Sequence, residues 1–168
     1  MSPNAPLDCD FAAFRAQNPV TRQFAYFDHA AVAALSAPAC DAIATWLRQA
    51  TEVGDTCWLQ WDQGVQRCRQ SAAALVNADP SEIALVPNTT AGITLVAEGL
   101  DWREGDNVVL LDNEFPSNQY PWLHLASRGV EIRRLTPPEG RVDLDQLREA
   151  FDSRTRLLAI SWVGYATG

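Results

Sequence analysis

Apolar residues fall along this chain in two regimes. Up to about residue 80 their spacing is helical. Phe11, Phe14 and Ala16 predict a short helix that gives way to a connector at Pro19. Within 39–51, Ile43, Trp46 and Leu47 lie on one side of a predicted helix, with Pro38 near its start. Residues 65–76 predict a second long helix, and Pro80 closes the unit. Residues 52–64 read as a loop that carries Trp58 and Trp61, and Ala25, Tyr26 and Phe27 as a short strand ended by Asp28.

Beyond residue 80 the rhythm changes to short apolar run, turn, helix. Residues 83–86, 108–111, 130–135 and 157–160 have strand length; residues 90–100, 118–127 and 143–151 have helical patterns between them. Pro121 is tolerated in the first turn of its helix, and Asp143 with Gln146 three positions on predicts a capping box. Unbroken apolar runs indicate strands buried on both faces, and strands alternating with helices indicate parallel crossovers. The fold class expected is α/β with a mainly parallel sheet.

Composition narrows the function classes. The 168 residues suit one domain or a piece of a larger one, and 47% hydrophobic with 20% charged residues is a globular composition. A net charge of −8 argues against nucleic acid or an anionic membrane as partner. No apolar run approaches the length of a membrane span and no signal peptide is visible, so a cytoplasmic location is expected. Cys9, Cys40, Cys57 and Cys68 form no CxxC, and His29 and His124 join no ligand cluster; no metal site is expected, and the cysteines read as reduced thiols. All thirteen basic residues are arginine: the chain has no lysine.

Ligands of parallel α/β sheets bind beyond the carboxyl ends of the strands, and three segments occupy such ends. In the first, Thr89, Thr90, Ala91 and Gly92 open a helix whose free amides suit an anion, although Asn88 or Thr89 as a simple cap fits the local pattern too. In the second, Phe115 could stack on a flat ring or pack in the core, and Asp112 and Glu114 could be acid–base groups or exposed loop carboxylates. In the third, Tyr165 could bind or donate a proton, or simply pack. His29, after the first short strand, could contact a substrate carboxylate or be structural. Trp58 and Trp61 mark an interface or lie buried. There is no Walker lysine and no GxGxxG.

Four segments in order, Tyr26-Phe27-Asp28-His29-Ala30-Ala31, Asn88-Thr89-Thr90-Ala91-Gly92-Ile93, residues 114–122 from Glu114 to Trp122, and residues 155–163 from Thr155 to Val163, resemble the class V aminotransferases. These are pyridoxal-phosphate enzymes of fold type I, and the similarity is to the branch of cysteine desulfurases, selenocysteine lyases and isopenicillin-N-epimerase-like proteins. The resemblance implies a three-layer large domain beginning near residue 23, preceded by an N-terminal segment over 1–22. It implies a phosphate site at Thr89 and Thr90 with the amides of Ala91 and Gly92, and a ring-stacking role for Phe115, where desulfurases usually carry histidine. It implies His29, Ala30 and Tyr165 on the substrate side, and a homodimer with the Trp58–Trp61 segment near the interface.

The family's Schiff-base lysine, its pyridine-nitrogen aspartate and its small domain match nothing here. The resemblance therefore implies the N-terminal part of a longer enzyme acting on a small amino-acid substrate, desulfurase- or lyase-like, or else an aminotransferase or epimerase. It places no catalytic residue in this chain, which alone is expected to be inactive. A non-catalytic α/β association module is the alternative from a different class.

Overall fold

A computed structural model describes residues 10–168, so Cys9 lies outside the described residues. The chain forms two compact units that meet between Ile83 and Ala84.

The first unit is helical. Helix α1 spans Phe11–Ala16, where the Asp10 carboxylate caps the amides of Ala12 and Ala13 at 3.0 Å each. Helix α2 spans Ala37–Glu52, with the Ser36 hydroxyl accepting from Ala39 N–H and Pro38 in the first turn. Helix α3 runs Trp58–Val76, so most of the expected loop over 52–64 is helix: only Gly54–Cys57, a single tight turn, separates α2 from α3. Gly54 and Gly64 bracket the segment and favour a loop reading, although the start of α3 itself, Trp58-Leu59-Gln60-Trp61, is largely apolar. Side chains tie the two helices together. Gln49 accepts from Trp61 Nε1 at 2.9 Å and donates to Gln60, and Trp46 lies 6.1 Å from Trp61, centroid to centroid.

Helix α3 ends at Asn77, which takes the left-handed conformation (φ 55°) suited to asparagine at a C-terminus. A reciprocal cap follows at once: Ser81 N–H donates to the Asp79 carboxylate, and Asp79 N–H to Glu82 at 2.8 Å. The first expected strand, Ala25–Phe27, joins no ladder, and Phe27 is 92% exposed. Extended backbone without a neighbour does not make a sheet.

The second unit carries the sheet. Strands β1 (Asn107–Leu111), β2 (Glu131–Leu135) and β3 (Thr155–Ala159) are all parallel, in the order β2-β1-β3. The expected run over 83–86 joins no ladder; its Ile83 carbonyl instead accepts from the Arg69 guanidinium at 2.6 Å. Helix α4 (Thr89–Gly99) precedes β1, α5 (Tyr120–His124) lies between β1 and β2, and α6 (Leu144–Glu149) between β2 and β3. The helix expected over 118–127 is divided: α5 is flanked by tight 3-10 turns over Pro116–Asn118 and Leu125–Arg128, and it stops at Gly129 (φ 79°). Gly129 takes a left-handed φ that favours glycine, and a side chain there would also crowd the Glu104 side chain.

Burial separates the strands. Every residue of β1 is buried, as its apolar run implied, whereas β2 and β3 are only partly so. The core joins Val108 and Leu110 of β1 to Ala97, Trp122, Leu125, Val130 and Ala159, with Ile93, Trp102, Ile132 and Leu157 packed around them. Both indoles have partners for their N–H groups: Trp102 donates to the Ala97 carbonyl and Trp122 to Asn118. Asp143 caps α6 through the amides of Asp145 and Gln146, but no return bond from the Gln146 side chain completes the expected box.

At the amino-terminal end of the sheet Asp152 is a hub. Its carboxylate accepts from Arg133 at 2.7 Å, from Arg154 N–H at 2.8 Å and from the buried Asn107 amide at 2.9 Å. Arg133 above all, then Arg154 N–H and Asn107, holds its carboxyl down to about 2. A carboxyl depressed on folding stabilises the fold above its unfolded value near 3.8 and loses that contribution as pH falls towards 2. Unfolding by urea across this range is expected to show a decline in stability that Asp152→Asn reduces; an unchanged decline would show that the hub does not couple to folding.

Candidate functional site

Strand order determines where a site can form. From β1 the chain crosses to β2 on one side, whereas β3 lies on the other. The connection leaving β1 therefore runs away from β3, and the space beyond the carboxyl ends of these two strands is where open α/β sheets bind ligands. A cleft is present there, with a volume of about 520 Å³. Thr89, Gly92 and Ile93 of α4 form one wall, Phe115, Ser117 and Asn118 another, and Leu158 to Ser161 the side along β3.

The helix wall is built by its cap. Asn88 accepts from Ala91 N–H at 2.8 Å, and the Gly92 amide bonds the Asn88 carbonyl. The capping reading of this segment thus holds for Asn88. The amides of Thr89 and Thr90 have no acceptor among the described residues, and they sit at the positive end of an eleven-residue helix. Thr89 and Gly92 line the cleft, while Thr90 and Ala91 line a separate groove on the other side of α4, with Thr94, Leu95 and Glu98.

The loop after β1 is pinned at both ends. Gln119 donates to the carbonyls of Asp112 and Glu114, at 3.1 and 2.5 Å, and the Asn118 amide bonds the Phe115 carbonyl at 2.8 Å. Phe115 is 51% exposed, so it is not a core residue. Its ring and that of Tyr165 meet edge to face, 5.2 Å between centroids and 82° between planes. Tyr165 is itself exposed. Asp112 accepts from the Thr136 hydroxyl at 2.5 Å.

Glu114 departs from the expectation of an exposed loop carboxylate. It is buried, and both its oxygens are taken by Ser161: the backbone N–H and the hydroxyl each donate at 2.6 Å. Sequence reasoning passed over Ser161, whose only signal was its place one residue beyond the last apolar run.

Other candidates belong to the first unit. His29 and Ala30 are exposed, with the His29 ring 4.9 Å from Tyr26. Trp58, exposed, opens α3, and Trp61 is partly buried against α2. Among the described residues no group of histidine, cysteine and acidic side chains could hold a metal ion, and no helix is long and apolar enough to cross a membrane.

Comparison with known proteins agrees with this architecture. The chain is 32% identical over 155 residues to a probable cysteine desulfurase of Methanothermobacter thermautotrophicus, covering 89% of this chain and 39% of that protein. It is 35% identical over 156 residues to a cysteine desulfurase of Salmonella dublin, covering 86% and 38% respectively. Among solved structures it is similar to the cystine C–S lyase C-DES in complex with its product cysteine persulfide (TM-score 0.81, 27% identity, 89% of this chain and 41% of that one). It is also similar to the cysteine desulfurase CsdA of Escherichia coli (TM-score 0.72, 26% identity, 88% and 40%). The chain thus spans about two fifths of the length of these relatives. The class-V aminotransferase family profile matches residues 25–168, and with that match over most of its length the chain belongs to the class-V aminotransferases.

Proposed function

We infer that this chain supplies part of the cofactor site of a pyridoxal-phosphate-dependent enzyme acting on a small amino acid, with desulfurase- or lyase-like chemistry. The observation that carries this is the cleft beyond the sheet, which Thr89, with its unbonded amide at the start of α4, and the exposed ring of Phe115 both line. The residues suit the group. Free amides at a helix start take a phosphate, an aromatic face takes a pyridine ring, and about 520 Å³ is room for a cofactor-sized molecule. The covalent attachment point has no counterpart here, because the chain has no lysine. Relatives whose structures carry this cofactor support the assignment: a C-DES variant with glycine covalently linked to it matches with a TM-score of 0.82 and 27% identity.

Bound, the cofactor supplies an electron sink for charge developing at an amino acid's Cα. The work of this chain is to hold and orient. Thr89, which lines the cleft, and the unbonded amide of Thr90 after it at the same helix start fix the phosphate end. Phe115 covers a ring face and excludes water from it, and the Tyr165 ring braces Phe115. Phenylalanine has no proton to give, so proton transfer in this enzyme relies on other groups; Tyr165 and His29 are the substrate-side candidates. The homodimer, with the Trp58–Trp61 segment near its interface, and a cytoplasmic location belong to the same proposal.

Phe115→Ala is expected to loosen pyridoxal phosphate by about 1 kcal/mol, the worth of an aromatic contact, in a fluorescence titration, while Phe115→His retains binding. Unchanged affinity in Phe115→Ala would remove the stacking role.

A further inference from the structure

The geometry points to Glu114 as a positioning residue: its buried carboxylate fastens the carboxyl end of β3 to the loop after β1 and so sets the spacing of Phe115 from Ser161 across the cleft. Glu114 is 5% exposed and no arginine pairs with it among the described residues. Burying an anion without a cation is costly unless donors satisfy it. Here both donors come from one residue 47 positions away, and the backbone N–H and hydroxyl of Ser161 each take one oxygen at 2.6 Å. Two bonds from one residue to the two oxygens of one carboxylate fix direction as well as distance, as in other two-point charge-assisted pairs.

The latch sits where the sheet itself provides no connection. The register of β1 with β3 ends at Leu110 and Ala159, and beyond it the two bonds between Glu114 and Ser161 join the segments that follow. Gln119 donates to the Glu114 carbonyl at 2.5 Å, and Pro116 follows Phe115 directly, so the backbone of Phe115 is constrained on both sides. Releasing the carboxylate frees the loop on the side that faces Ser161, and the edge contact between Phe115 and Tyr165 goes with it.

The test uses the whole 168-residue chain labelled with fluorotyrosine. Its three tyrosines give three fluorine resonances, with Tyr165 assigned through Tyr165→Phe. Glu114→Ala is expected to shift the Tyr165 resonance, because the nearby Phe115 ring moves away from it, with Tyr26 unmoved and a cooperative melting transition retained. Glu114→Gln is expected to restore the native resonance, because its amide can accept from Ser161 N–H while donating to the hydroxyl. A Tyr165 resonance identical in native, Ala and Gln chains would overturn the proposal. If Glu114→Ala does not fold, Ser161→Ala, which removes only the hydroxyl donor, is expected to shift the same resonance part of the way, and no shift overturns the proposal equally.

A second arm, which rests on the cofactor reading above, titrates the unlabelled chains with pyridoxamine phosphate. Affinity is expected to fall about tenfold or more in Glu114→Ala, as for a misplaced binding group, and to recover in Glu114→Gln. Equal affinity in all three chains would overturn the link to the cleft. Failure of the native chain to bind pyridoxamine phosphate, with the Tyr165 resonance following the variants, would defeat the cofactor reading and leave the positioning role established.

Discussion

Mixed with pyridoxal phosphate, reduced with borohydride and digested for mass mapping, the 168-residue chain is expected to yield no pyridoxyl adduct at any internal residue. The reason is compositional. Covalent attachment of this aldehyde needs a primary amine, and all thirteen basic side chains are arginine. A guanidinium stays protonated and is not a usable imine-forming amine. The only primary amine is the α-amino group of Met1, far in sequence from Thr89, Phe115 and Tyr165. The same argument expects no turnover of amino acids by this chain alone, assayed by release of sulfide, pyruvate or a keto acid. Noncovalent binding is still expected, because the amides of α4 and the ring of Phe115 need no amine. A single modified internal residue, or sustained turnover, would overturn the assignment of the cleft.

Leu110→Ala is expected to cost about 2–5 kcal/mol in denaturant unfolding, the range for a buried leucine whose cavity closes only partly. Leu110 is fully buried in the central strand, in one cluster with Trp122, Leu125 and Ala159. No neighbouring strand can move into its place, since β1 is hydrogen-bonded on both edges. Leu75→Ala is the control: that side chain is 87% exposed on α3, and its change is expected to fall within about 0.5 kcal/mol. Equal effects at the two positions would show that the cluster around β1 is not the stabilising core.

Both predictions use features already present in the sequence. The absence of lysine is a count. The burial of β1 follows from an unbroken run of valine and leucine, which in an α/β chain belongs to a strand covered on both faces. Helices α2, α4 and α6 were legible from their helical apolar spacing, although the Ile43, Trp46 and Leu47 stripe of α2 stays about half exposed. The cofactor segment at Thr89 was legible because a helix start after an apolar run exposes amides whatever the rest of the chain does.

Other features depended on partners distant in sequence. Ala25–Phe27 and the run at residues 83–86 look like β1 in composition, yet neither joins a ladder, because a strand exists only where a neighbour supplies its hydrogen bonds. Trp58 opens a helix, α3, in a stretch whose flanking glycines, Gly54 and Gly64, read as loop. Thr89 and Thr90 look equivalent in sequence, but helical rotation of about 100° per residue turns one to the cleft and the other to the opposite groove. Sequence alone thus determined the chemistry available to this protein: an α/β class, amides for an anion, an aromatic ring, and no amine. Only tertiary structure decided how these groups meet, because the order β2-β1-β3 opens the crevice and Glu114 reaches Ser161 only when two parallel strands lie side by side.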